Sequence, residues 1–125
     1  MKQEEALMRI SSTVLFSLIL SLGISIPVMA AEGDGATGQS LAFDRNKGNC
    51  LACHAIPNDA KATSPGDIGP ALIGMKARFP DRAKLRAQIW DATVNNQRTS
   101  MPPFGRNKIL TEAELDQVTD YIYGL

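Results

Sequence analysis

The residues best placed for chemistry are Cys50, Cys53 and His54, which stand together in Cys50-Leu51-Ala52-Cys53-His54 and are the chain's only two cysteines and only histidine. Positions i and i+3 of a helical turn share a face, so both thiols can reach one flat ligand from the same side. Two thiols followed directly by an imidazole form the spacing at which a porphyrin is attached through its two vinyl groups. The thioethers then keep the imidazole under the iron as a proximal ligand. The cofactor implied is one covalently attached haem c, with Cys50 and Cys53 as its thioethers and His54 as an axial iron ligand. The available chemistry is then chiefly the cofactor's.

Other uses of these residues fit less well. A zinc site needs about four Cys, His or carboxylate ligands, and only three Cys and His side chains exist here. A thioredoxin-like pair belongs near a βαβ pattern, whereas these flanks read as helix on one side and loop on the other. A plain buried thiol pair leaves the adjacent histidine unexplained.

A haem iron with one histidine takes a trans ligand or keeps an open face. No second histidine exists, so methionine is the leading candidate. Thr99-Ser100-Met101-Pro102-Pro103-Phe104-Gly105 lacks periodicity, and its two prolines fix φ and remove two N–H donors. This stiff loop can hold the Met101 thioether at a defined place, as sixth ligand. Met75 is the other methionine beyond the leader, and filling core space is its alternative use.

Two further residues have open roles. Gly69-Pro70-Ala71-Leu72 is either a simple turn or the source of a carbonyl, that of Pro70, for the second ring N–H of a metal-bound histidine. Trp90 either packs inward or donates its indole N–H to a haem propionate.

The elements that must position these groups read as helices and loops. Residues 1–30 have the pattern of a cleavable secretory signal: Lys2 and Arg9, an apolar run from Val14 to Ile26, and a small-residue exit with cleavage near Ala30 or Ala31. An uncleaved anchor is the competing reading. Ser17, Ser21, Gly23, Ser25 and Pro27 weaken the run against the roughly 20 apolar residues of a spanning helix. Export agrees with the motif, since bacterial haem attachment takes place outside the cytoplasmic membrane, and it predicts a periplasmic protein. Residues 31–125 then make one small domain of about 95 residues.

Such a domain is marginal on side chains alone, so a buried porphyrin would be structural as well as functional. Thirteen basic and thirteen acidic side chains balance, which argues against a nucleic-acid partner.

A short amphipathic helix is expected from Thr37 to about Lys47, broken by Gly48-Asn49. A solvated loop follows over Pro57 to Gly66. Asp81 can cap a middle helix with Leu85, Ile89 and Ala92 inward, ending near Asn95-Asn96. Lys76, Arg78, Arg82, Lys84 and Arg86 read as a solvated basic face. The closing helix has a Thr111/Glu114 capping box and a Leu115, Val118 and Ile122 stripe. Its expected outer face is Glu112, Asp116 and Asp120, and Gly124 is its stop.

This order of a helix before CxxCH, a Gly-Pro-x-Leu turn, a middle helix, a Met-Pro loop and a closing helix resembles class I mono-haem cytochromes c. The likeness spans essentially all of residues 31–125. It implies an all-α cytochrome c fold, with N-terminal, middle and C-terminal helices around one haem.

Four stretches resemble the SoxX family more narrowly: Lys47 to His54, Gly66-Asp67-Ile68-Gly69-Pro70, Met75-Lys76-Ala77-Arg78, and Met101-Pro102-Pro103-Phe104-Gly105. SoxX is the small subunit of the SoxAX cytochrome of bacterial thiosulfate oxidation. The resemblance implies His54 and Met101 as axial ligands and a periplasmic heterodimer with a SoxA-type haem subunit. That subunit joins thiosulfate to a cysteine of a carrier protein, and the small chain's haem takes up the electrons and hands them to a downstream acceptor. With both cysteines committed to thioethers, this chain has no catalytic nucleophile of its own. Asn95-Asn96-Gln97-Arg98 departs from the family in lacking a proline before the methionine loop. The alternatives are a free-standing electron shuttle, and a small haem peroxidase or gas binder with an open distal face.

Overall fold

Thr37 starts the first helix through a reciprocal capping box, its hydroxyl accepting from Ser40 N at 3.1 Å while Ser40 Oγ accepts from Thr37 N at 2.9 Å. The computed structural model describes residues 37–125, so the leader and its cleavage site lie outside the described residues. The helix, α1 (Gly38–Phe43), buries Leu41 and Ala42. It stops well short of the expected Lys47, because Asp44 turns extended and its carbonyl then accepts from Lys47 N and Asn49 N. Asn49 is left-handed at φ 46°, a conformation asparagine tolerates better than most residues. It delivers the chain into a 3-10 turn at Cys50–Ala52.

Residues 53–74 carry no regular element apart from turns. The loop over Pro57 to Gly66 is largely exposed, as expected, and is also tied down at its start. Asp59 accepts from Tyr121 Oη at 2.6 Å and also from Gln39 Nε2, which pins the loop's start to both terminal helices.

Then come α2 (Met75–Arg78) and α3 (Arg82–Trp90), the latter capped by Asp81 accepting from Ala83 N at 2.8 Å. The middle helix ends at Trp90 rather than near Asn95. Asp91 is extended, and its carboxylate restarts the chain as a separate 3-10 turn, Ala92–Val94, by accepting from Thr93 N. A side chain that offers the backbone a competing acceptor is a common way to end a helix.

The last helix, α4 (Glu112–Tyr123), has the predicted capping box, with Leu115, Val118 and Ile122 buried. Gly124 closes it at φ −76°, so the stop does not use glycine's left-handed freedom. Helices α1 and α3 both pack on α4. Among the described residues there is no strand, and the fold is all-α as expected. Among them too, no helix is long and apolar enough to cross a membrane.

The basic run is not a uniformly solvated face. Arg82 pairs with Asp120 at 2.5 Å, and Arg86 with Asp116 at 2.7 Å and Glu112 at 2.5 Å. These pairs bridge α3 to α4 and occupy the acidic residues assigned to solvent. Hydrogen bonding to Arg86 holds the Asp116 and Glu112 carboxyls below the usual range.

Candidate functional site

The Cys-Cys-His turn is clasped by the segment that follows it. His54 N donates to Cys50 O at 2.9 Å, closing the turn, while Gly66 N donates to Leu51 O and Gly69 N to Cys53 O, both at 2.7 Å. Leu72 N donates to Ala55 O at 2.8 Å. These bonds lay residues 66–72 alongside the imidazole. His54 Nδ1 then lies 2.7 Å from the carbonyl oxygen of Pro70, and a proton on Nδ1 leaves Nε2 as the nitrogen that can ligate a metal.

Gly69 makes this approach possible. A Cβ on it would stand 2.3 Å from His54 Cε1 and 2.6 Å from Nδ1, well inside contact distance. The turn is therefore a backbone wall against the ring, where any side chain would push the imidazole away. Sequence reasoning marked Pro70 and missed Gly69, whose only signal was its place beside that proline.

A cavity of about 690 Å³ opens beside this turn, within the range of pockets that take up a compact organic ligand. Cys50, Cys53 and His54 line it, as do Met75 and Met101, with Leu85, Ile89 and Val118 from the helices behind. Both thiols are unpaired. Burial pushes the Cys50 thiol up to about 11, the reverse of what a thiolate metal ligand or redox nucleophile needs. Among the described residues, no group of three or more His, Cys, Asp or Glu could hold a bare metal ion.

The donor set fits a haem. Two thiols, an imidazole with Nδ1 engaged and a thioether face one apolar cavity. Cys50 and Cys53 would hold it covalently and His54 would ligate its iron, and a bound haem would supply a one-electron couple there.

The two methionines differ in setting. Met75 is 2% exposed and belongs to the core cluster, and its Sδ accepts from Arg78 Nη1 at 3.3 Å. Arg78 Nη1 also donates to Ala71 O at 2.8 Å. Met101 is partly exposed in its loop, with its N–H donating to Thr99 Oγ1 at 3.1 Å.

The Trp90 indole N–H, a candidate for a propionate bond, donates to Glu112 Oε1 at 3.2 Å. Its ring lies under Gly105, where a Cβ would be 1.9 Å from Trp90 Cδ1. Asp91, beside it, was not singled out from sequence. The Thr93 hydroxyl first, and the Arg106 guanidinium after it, hold its carboxyl below the usual range.

An all-helical domain whose Cys-x-x-Cys-His turn and methionine loop face one apolar cavity defines a c-type cytochrome domain. Residues 33–122 match the family described as cytochrome C oxidase, cbb3-type, subunit III. The chain belongs to that family. It is also 32% identical over 66 residues to cytochrome c-550 of Paracoccus versutus, a stretch covering 51% of this chain and 40% of that relative. The match thus spans about two-fifths of the length of that relative. Membership brings a covalently bound haem c and electron transfer as the domain's work. Cytochromes of this kind are generally periplasmic or exported.

Proposed function

We propose that this chain is a mono-haem electron carrier with Cys50 and Cys53 as thioether attachments and His54 and Met101 as iron ligands. We further propose that it works in the periplasm, after export by residues 1–30, as the small subunit of a SoxAX-type thiosulfate-oxidising complex. The observation that carries the redox reading is the His54 ring, oriented by the Pro70 carbonyl at 2.7 Å and facing the same cavity as both thiols and Met101. The Nδ1 contact raises the basicity of the ligating nitrogen, the stiff loop holds a thioether, and the apolar walls exclude water. Such a site exchanges electrons and leaves substrate bonds alone.

The narrower assignment rests on the four SoxX-like stretches. The cavity mouth supports a partner as well: Ile68, one of those motif residues, lines it and is 72% exposed. In this reading a SoxA-type haem chain performs the sulfur chemistry on the carrier-protein cysteine, and this chain takes the electrons onward to an acceptor.

A free-standing shuttle is the second reading, favoured by the similarity to cytochrome c-550. The deciding experiment is to purify the native protein and assay it with thiosulfate, carrier and an electron acceptor. The complex reading expects a second haem chain to copurify, and no turnover by the isolated small chain until that chain is added. Turnover by the single chain would move the active site into this protein. A protein that elutes alone and only exchanges electrons would establish the shuttle.

A further inference from the structure

The methionine loop is fastened on its far side to the end of α3 and on its near side to the turn at Asn96 that follows that helix. On its far side, Gly105 N and Arg106 N both donate to Trp90 O, at 3.1 and 3.3 Å, and Gly105 lies directly on the indole. Arg106 Nη1 reaches Asp91 Oδ2 at 2.7 Å and Thr93 Oγ1 at 3.1 Å. Asp91 is 4% exposed, and its other oxygen accepts from Thr93 N at 3.0 Å and Thr93 Oγ1 at 2.5 Å. On the near side, Met101 N donates to Thr99 Oγ1 and Thr99 N donates to Asn96 O at 3.0 Å.

Between these two anchors stand Pro102 and Pro103, which cannot relax freely about φ. Only four residues separate Met101 from Arg106, so losing the arginine's side-chain bonds weakens the far anchor, leaving the two backbone bonds to Trp90 O to hold it. A buried carboxylate keeps its charge only while its partners remain, which makes the Arg106 bond costly to break and the closed loop the preferred state.

We infer that Asp91 and Arg106 are positioning residues that hold the Met101 loop shut over the cavity, so that this ion pair sets how often the sixth iron position opens. The inference rests on the reading of Met101 as sixth ligand.

The test is a titration of the ferric holoprotein with imidazole, which can bind iron only in molecules whose loop has opened, so its apparent affinity tracks the open fraction. Half-saturation should need about tenfold less imidazole in Arg106→Gln than in wild type, with Arg106→Lys in between. Arg82→Gln breaks ion pairs on the α3–α4 bridge instead and should keep the wild-type value. Asp91→Asn should move with Arg106→Gln, and should it fail to fold, the half-exposed Arg106 carries the test.

An unchanged half-saturation in Arg106→Gln, or an equal fall in Arg82→Gln, overturns the inference. Failure of the ligand reading looks different: Met101→Ala would then keep the Met–Fe(III) charge-transfer band, or wild type would lack it.

Discussion

Lys47 Nζ lies 2.6 Å from Glu114 Oε1, joining the approach to the Cys-Cys-His turn to the first turn of α4. The carboxylate's other oxygen accepts from Thr111 N at 2.8 Å. One side chain therefore caps the closing helix and anchors the strip of chain that carries Cys50. Glu114 is 11% exposed and Lys47 36%, so the pair is partly shielded from solvent.

This arrangement predicts an acid limb to stability. The Lys47 hydrogen bond, with the Thr111 backbone, holds the Glu114 carboxyl below the ordinary glutamate value of 4.5. A carboxyl depressed in the native state contributes stability that is fully present above its unfolded value and is lost as pH falls through the native one. Glu114→Gln should cost about 1 kcal/mol at neutral pH, given the exposed lysine, and should flatten the fall in Tm below about pH 4.5. Thermal melts across that range check it.

Met101→Ala should abolish the Met–Fe(III) charge-transfer band and lower the reduction potential, since His/Met ligation favours a high one. Met75→Ala should keep the band and destabilise the fold by about 2–5 kcal/mol, because a fully buried side chain leaves a void. Visible spectra and denaturant melts separate the two. The opposite pairing of spectral and stability losses would exchange the roles of the methionines.

Gly69→Ala should drive a methyl group into the His54 ring. The ring or the 66–72 segment must shift, at about 1–3 kcal/mol, and the bond to Pro70 should lengthen or break. A lowered Tm with an altered Soret band is expected, whereas Gly124→Ala, where a Cβ meets nothing closer than 3.3 Å, should resemble wild type.

Replacing Cys50 and Cys53 together by serine should leave most of the far-UV circular dichroism lost. The cavity of about 690 Å³ runs among Leu85, Ile89 and Val118, so without a covalent haem the core is hollow. A haem-free variant with a sharp native-like melt would show that the helices suffice.

Charge reversal at Arg98 and Lys108 should slow association with an acidic redox partner, more at low salt where screening is weak. Both are exposed and lack an ion pair among the described residues. Stopped-flow electron transfer at two ionic strengths measures the effect, and rates insensitive to the reversal would place docking elsewhere.

Local chemistry was legible in the sequence wherever spacing alone carries it. The Cys50-to-His54 turn, the Asp81 cap, and the Thr111/Glu114 box with its Leu115, Val118 and Ile122 stripe depend on neighbours within a turn or two of chain, and each appears in the structure as read. Contacts between distant segments were not legible. Gly69 against His54, Asp91 with Arg106, Arg86 with Asp116 and Asp59 with Tyr121 each join residues 15 to 62 apart in sequence. The middle helix is the exception, since Asp91 ends it through a local bond from Thr93 N that the apolar spacing of Leu85, Ile89 and Ala92 does not register. Residue types and spacing determined which groups could hold a haem. Only tertiary packing decided the orientation of the imidazole, the tether of the methionine loop and which charges are spent on the fold, because those depend on which distant backbone and side-chain groups come within hydrogen-bond reach.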